Sequence, residues 1–182
     1  MNDFVAIDSS SKSIAFAYFV DDQLYKYGKI NFRGKDITAR LRDAARKTQG
    51  LFVAIPVSRV VIESSFYSAN PSTATNLALC QGAILGAAAV QGTNKFAKVV
   101  PANWQRNLGN PPWTKEQKLE LQQKFPDRSK GWYSGEVRKR RKEKTIELIN
   151  ARYGIGVGDD DVADAIGVGS YVLDREDKIQ WA

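Results

Sequence analysis

Four carboxylates in this chain sit where an apolar run has just ended or a helix is about to begin. They are Asp8 after Phe4-Val5-Ala6-Ile7, Glu63 after Val60-Val61-Ile62, and the pair Asp161 and Asp164 in Asp160-Asp161-Val162-Ala163-Asp164-Ala165-Ile166. The last two are spaced i, i+3 and share one helical face. If the three elements converge, four hard oxygen donors meet at one point, and a cation relieves their mutual repulsion. The chemistry is then that of a carboxylate-held divalent metal, which in a basic chain points to phosphodiester cleavage. Taken singly, Asp8 can open the Ser9-Ser10-Ser11 turn, and Asp159 to Asp161 can cap a helix. Glu63, directly continuing Val-Val-Ile, has no turn or cap role, and it is the joint pattern that favours a metal site.

Composition narrows the choice. The chain has 182 residues, one cysteine and no histidine. Cys80, inside Leu77-Ala78-Leu79-Cys80, reads as a small core residue, and neither a disulfide framework nor a thiolate zinc site is available. Without histidine the usual ligand for zinc, copper and non-haem iron is missing, so a metal must rest on carboxylates, which favours magnesium with manganese as a substitute. Net charge is +7, and it is unevenly spread. Residues 115–152 carry 12 basic and 6 acidic side chains, and residues 153–182 carry 2 and 7. A phosphate backbone drawn to Arg138-Lys139-Arg140-Arg141-Lys142 is delivered beside Asp161 and Asp164. A solvated helix face accounts equally well for that basic run taken alone. The chain enters a strand within a few residues of its start, and the apolar stretch Leu77 to Val90, interrupted by Gln81, is too short to span a bilayer. The expectation is a soluble, cytoplasmic protein with no membrane partner.

The elements that position the acids follow from periodicity. Short β-branched runs ending at Asp8 and Glu63 read as buried strands. Ser13 to Val20 and Leu24 to Phe32 are two further strands joined at Asp21-Asp22, giving an antiparallel meander with the first. Asp36 to Ile55 is an amphipathic helix, stopped by Pro56. Asn70-Pro71-Ser72 opens a helix to about Val90, rich in Ala and Gly, that is either deeply buried or packed on a twin across a dimer axis. Phe96 to Val100 is a fifth strand and Ala102 to Leu108 a short helix. Thr114 to Lys124 is helical, Phe125 to Gly135 irregular, and helices over Glu136 to Tyr153 and Asp160 to Leu173 complete the chain. The fold class is α/β: one domain with a five-stranded mixed sheet, three strands antiparallel and two parallel, and helices on both faces.

In this order the motifs resemble those of the RuvC-type Holliday junction resolvases of the ribonuclease H-like superfamily. The resemblance covers most of the chain apart from a basic, aromatic-containing insertion near residues 110–135. It rests on Ile7-Asp8-Ser9-Ser10-Ser11-Lys12-Ser13-Ile14-Ala15, on Val61-Ile62-Glu63-Ser64-Ser65-Phe66, and on Asp161-Val162-Ala163-Asp164-Ala165-Ile166. Ser9 and Ser10 stand where that family has Pro-Gly, and Ala15 and Ala17 where its bacterial members have glycines. With the longer insertion, these departures resemble a divergent, phage-encoded relative and put strict sequence preference at the cut in doubt.

The resemblance implies a homodimer that cuts four-way DNA junctions with two divalent ions. The chemistry of the acids leads to a two-metal mechanism, with ions roughly 4 Å apart bridged by Asp8 and flanked by Glu63, Asp161 and Asp164. Lys144 falls where the family carries a lysine near the scissile phosphate, and pairing with Glu143 or Glu147 on an exposed helix face explains it equally well. Lys142 and Arg106, with Arg140 and Arg141 of the basic run, are candidates for phosphate contact. Phe66 corresponds to an aromatic that stacks on bases at the junction centre, and a core position at a strand end is its alternative. Trp113, Trp132 and Tyr133 either grip DNA or pin the insertion. Rival readings are a related nuclease acting on RNA–DNA hybrid or other branched substrates, a non-catalytic junction-binding module, and an actin-like ATPase, for which one domain is too few.

Overall fold

The computed structural model describes residues 3–64 and 70–182. Phe66 lies outside the described residues.

Three strands, β1 (Phe4–Ser9), β2 (Ser13–Val20) and β3 (Gln23–Asn31), form the antiparallel meander. Asp21 and Asp22 both take left-handed backbone angles, φ 46° and 64°, as a two-residue hairpin of right-handed twist requires. β4 (Arg59–Glu63) runs parallel to β1, and β5 (Lys95–Val99) parallel to β4, so the sheet order is β3-β2-β1-β4-β5. The mixed five-stranded sheet expected from the sequence is the sheet observed.

Because side chains alternate across a strand, β1 and β4 divide their residues between two cores. Val5, Ile7, Val60 and Ile62 face α1 (Ile37–Ala54) and α2 (Pro71–Val90), meeting Leu51, Phe52, Ile84 and Ala88. Phe4, Ala6 and Val61 face the other way, with Ala15, Ala17 and Ala97, towards α6 (Asp160–Asp174). Four alanines on that face leave room for α6 to settle close to the sheet. The helix adds glycines at the same contact: a methyl group on Gly167 would lie 2.6 Å from the ring of Trp104, and one on Gly169 would collide with Phe19. Between β5 and α6 the chain forms α3 (Pro101–Asn107), α4 (Lys115–Lys124) and α5 (Lys130–Tyr153), the last closed by left-handed Gly154.

Two elements differ from expectation. α5 begins at Lys130 rather than Glu136, because the Ser129 hydroxyl accepts from the Trp132 N–H at 3.2 Å and caps the helix there. α2 is not deeply buried, one of the two placements expected for it: only Cys80, Gln81, Ile84 and Ala88 are buried along its 20 residues. Among the described residues it is the one helix long and apolar enough, by length and composition, to cross a membrane. Here it lies along α1 and closes one face of the sheet.

Candidate active site

The parallel register pairs Ile7 with Ile62, so the next residues, Asp8 and Glu63, leave adjacent strands at the same end. They share strand parity with Ala6 and Val61 and therefore emerge on the face that α6 covers. α6 starts at that edge. The Asp159 carboxylate caps it, accepting from the N–H groups of Asp161 at 3.0 Å and Val162 at 3.1 Å. Asp161 and Asp164 thus fall within its first turns, where the positive end of the helix dipole favours carboxylates.

The four acids line one cleft of about 360 Å³ together with Ser9, Ser10, Gln81, Arg138 and Lys142. Burial, with repulsion from Asp161, raises the pKa of Asp8. Burial, then Asp8 and Asp164, raises Glu63, and burial, then Asp8, raises Asp164 to about 7. Carboxyl groups so held are costly to ionise without a counter-charge. Around them stand fixed cations. Lys29 of β3 lies 2.7 Å from Asp161 and 2.9 Å from Asp159, and Lys142 of α5 pairs with Asp160. Among the described residues no three acids are drawn into one chelating cluster, and Asp161 is held aside by Lys29. The donor set still fits hard divalent cations: carboxylate oxygens, no histidine or thiolate, and three acids whose ionisation a cation would favour.

The backbone beneath the acids is tied down. The Gln81 side chain, buried on α2, donates to the Ser9 hydroxyl at 3.2 Å and to the Glu63 carbonyl at 3.1 Å, bridging the two acid-bearing strand ends. After Asp8, the Ser10 hydroxyl accepts from the N–H groups of Lys12 at 3.1 Å and Ser13 at 3.0 Å, closing the turn without glycine or proline.

No family model and no curated protein matches the sequence. Solved structures do. The chain aligns with Thermus thermophilus RuvC in complex with Holliday junction substrate at a TM-score of 0.72, with 12% identity over 99% of each chain. This chain has the RuvC fold. A second Thermus thermophilus RuvC structure aligns at 0.68, with 12% identity over 99% of each chain. The yeast mitochondrial Holliday junction resolvase aligns at 0.53, with 11% identity over 93% of this chain and 77% of that one.

Within the RuvC fold, Asp8, Glu63, Asp161 and Asp164 line one cleft without closing into a cluster, and Lys142 lines it with them. Arg141 lines an adjoining cavity of about 430 Å³, next to Asp164 and with its guanidinium on Gln105. Lys144 is not brought in: it is ion-paired with Glu147 at 2.9 Å on the outer side of α5. Arg106 is exposed on α3, outside both cavities. Arg140 pairs with Glu136 at 2.7 Å and stacks over Trp113, 5.8 Å from the ring centre. Trp132 packs between Phe125 and Tyr133, with Arg128 above its ring, so these aromatics hold the α4–α5 segment to itself.

Sequence reasoning missed Lys29, Gln81 and Arg138 as members of the site. Arg138 was visible as the first cation of the basic run. Lys29 carries no local signal, since its partners are 130 and more residues away.

Proposed function

We propose that this chain is a structure-selective endonuclease that resolves four-way DNA junctions by metal-dependent phosphodiester hydrolysis. The observation that carries the reading is the cleft in which Asp8, Glu63, Asp161 and Asp164 meet, with Lys142 and Arg138 on its rim. The RuvC fold supports the junction as substrate.

In this reading the four acids hold two Mg²⁺, or Mn²⁺ in their place. Bound there, the ions supply Lewis acidity and a nucleophilic water. The chain's own work is placement. Asp8 and Glu63 are fixed by strand register, Asp161 and Asp164 by one helical face, and Gln81 locks the two strand ends together. Lys142, Arg138 and Arg141 draw the phosphate backbone towards the acids and offset its charge. Lys29 holds Asp161 through an ion pair, a contact that a bound cation would compete with.

Paired symmetric cuts call for two such sites, and we assign the second to another copy of the chain. The exposed side of α2 suits a twin: Leu79 and Val90 are exposed, and Gly82 and Gly86 leave open space where a side chain would stand.

Cleavage of end-labelled four-way junction, flap, linear duplex and RNA–DNA hybrid, each with Mg²⁺ and with chelator, tests the reading. Symmetric nicks confined to the junction and lost on chelation are expected. Equal cutting of hybrid would reassign the substrate, and junction binding without any cut would leave a binding module.

A further inference from the structure

A further cavity opens beyond the one that Arg141 lines, and the two share a wall. The first, of about 430 Å³, takes Arg138, Lys142 and Asp164 from the acidic cleft and reaches Ser134 and Val137. The second, of about 370 Å³, takes up Ser134 and Val137 in turn and extends between α4 and α5 to Lys118 and Lys130. A single depression therefore runs from the acids to the far end of the α4–α5 segment. Along α5 it follows Lys130, Ser134, Val137 and Arg141, at i, i+4, i+7 and i+11, one stripe of a helix.

Charge is sorted about that stripe. Arg138, Arg141, Lys142, Lys118 and Lys130 line the depression, and among the described residues its one acid is Asp164, at the end where it joins the cleft. Other acids of α4 and α5 are engaged elsewhere: Glu136 pairs with Arg140, Glu143 faces Lys139, Glu147 holds Lys144, and Glu120 lies with Trp113 in a separate hollow. Lys118, Lys130 and Arg138 are exposed and form no ion pair among the described residues. Unpaired cations on a concave surface concentrate positive potential there. Length names the occupant. From Lys130 to Arg141 a helix rises about 16 Å, and a strand of duplex DNA advances about 3.4 Å per nucleotide, so about five successive phosphates fit the stripe.

We propose that this depression is a strand track: the phosphates of one DNA strand leave the acidic cleft along α5 and end at Lys118 and Lys130, which grip a junction arm about five nucleotides away. The stacking of Trp132 on Phe125 and Tyr133, with the Tyr133 hydroxyl donating to the Phe125 carbonyl, ties α4 to α5 and fixes the spacing of the two lysines. The proposal rests on the reading of this chain as a junction-binding protein, and it gives the α4–α5 segment a part in holding the substrate.

Binding of a four-way junction in chelator, across a range of salt concentrations, tests it without requiring a cut. The wild type is compared with Lys118→Ala/Lys130→Ala and with Lys95→Ala/Lys178→Ala, which removes the same charge at the end of the sheet away from the acids. All four lysines are exposed, so the fold is kept. The first variant should bind about tenfold or more weakly at about 0.1 M salt, with the slope of log affinity against log salt reduced by about 1.8. The second should stay within about twofold of the wild type. Phosphate ethylation should interfere with wild-type binding at one run of about five phosphates on a strand leaving the branch, and the first variant should lose the far end of that run alone. Equal losses in the two variants would show a diffuse effect of charge and overturn the inference, as would an interference pattern unchanged in Lys118→Ala/Lys130→Ala. No junction binding by the wild type would instead overturn the junction reading, and the inference with it.

Discussion

Ile7 and Ile62 are partners in the parallel register of β1 and β4, and this one pairing sets Asp8 beside Glu63 on the face of the sheet that α6 covers. Two acids forced together in a partly buried cleft leave a mark on stability as well as on chemistry.

That mark is a pH dependence. Asp8, Glu63 and Asp164 have raised pKa values in the fold, Asp164 at about 7, against about 4 for such groups in an unfolded chain. Between these values the folded state holds protons that the unfolded state has released, so stability falls as pH rises through the folded values. Asp159 and Asp174, lowered in the fold with hydrogen bonds to Lys29 and Arg152 respectively, act at lower pH and leave this window alone. In chelator, Tm should drop by roughly 5 °C or more from about pH 5 to pH 8, and Mg²⁺ should restore it at the upper end only. A metal-free Tm that rises over that interval would contradict the burial of these acids.

Gln81 bridges the strand ends through two hydrogen bonds, to Ser9 and to the Glu63 carbonyl. Gln81→Ala should cost about 1–3 kcal/mol in a urea melt, since it leaves half-buried partners unsatisfied. Junction cleavage should fall by at least tenfold, because a small misplacement of the two acids is enough to slow a positioned reaction. A variant destabilised to this degree yet fully active would make the bridge purely structural.

Two lysines of α5, two residues apart, separate cleanly by position. Lys142 lines the acidic cleft, whereas Lys144 is paired with Glu147 on the outer side. Lys142→Ala should lower the rate of junction cleavage about tenfold or more, and Lys144→Ala should leave it within about twofold. The opposite ranking, measured in single-turnover cleavage, would place the phosphate elsewhere on α5.

If a twin covers the exposed side of α2, a charge there should separate the copies. Leu79→Glu is expected to halve the mass found by light scattering while leaving the thermal melt of each chain within a few degrees. A wild-type mass equal to one chain, with and without junction DNA, would remove the dimer.

Much of this architecture was legible in the residues. Val60-Val61-Ile62 and Phe4 to Ile7 could only be buried strands, Asp21-Asp22 marked the hairpin, and Asp159 marked the start of α6 within a residue. The placement of the four acids followed from those three elements. What stayed hidden depended on long-range packing. Lys29 meets Asp161 across 132 positions, and nothing near either residue announces it. Gln81 looked like a break in an apolar stretch and is the residue that ties Ser9 to the Glu63 carbonyl. On α5, cations from Arg138 to Lys144 surround the helix almost without an apolar stripe, so no periodicity set the rotation about its axis, and Lys142 and Lys144 could not be told apart. The capping by Ser129 and the packing of Trp132 against Phe125 carried that helix through Gly131 and Gly135, where composition alone suggested irregular chain.

Whether Asp8 works as a metal-holding acid in junction cleavage is decided by comparing wild type with Asp8→Asn on one labelled four-way junction in Mg²⁺. Symmetric nicks are expected from the wild type and a loss of about a thousandfold or more from the variant, with junction binding equal or tighter because repulsion of the phosphate is reduced. Cleavage retained by Asp8→Asn at the wild-type rate would show that Asp8 merely shapes the turn after β1 and holds no metal.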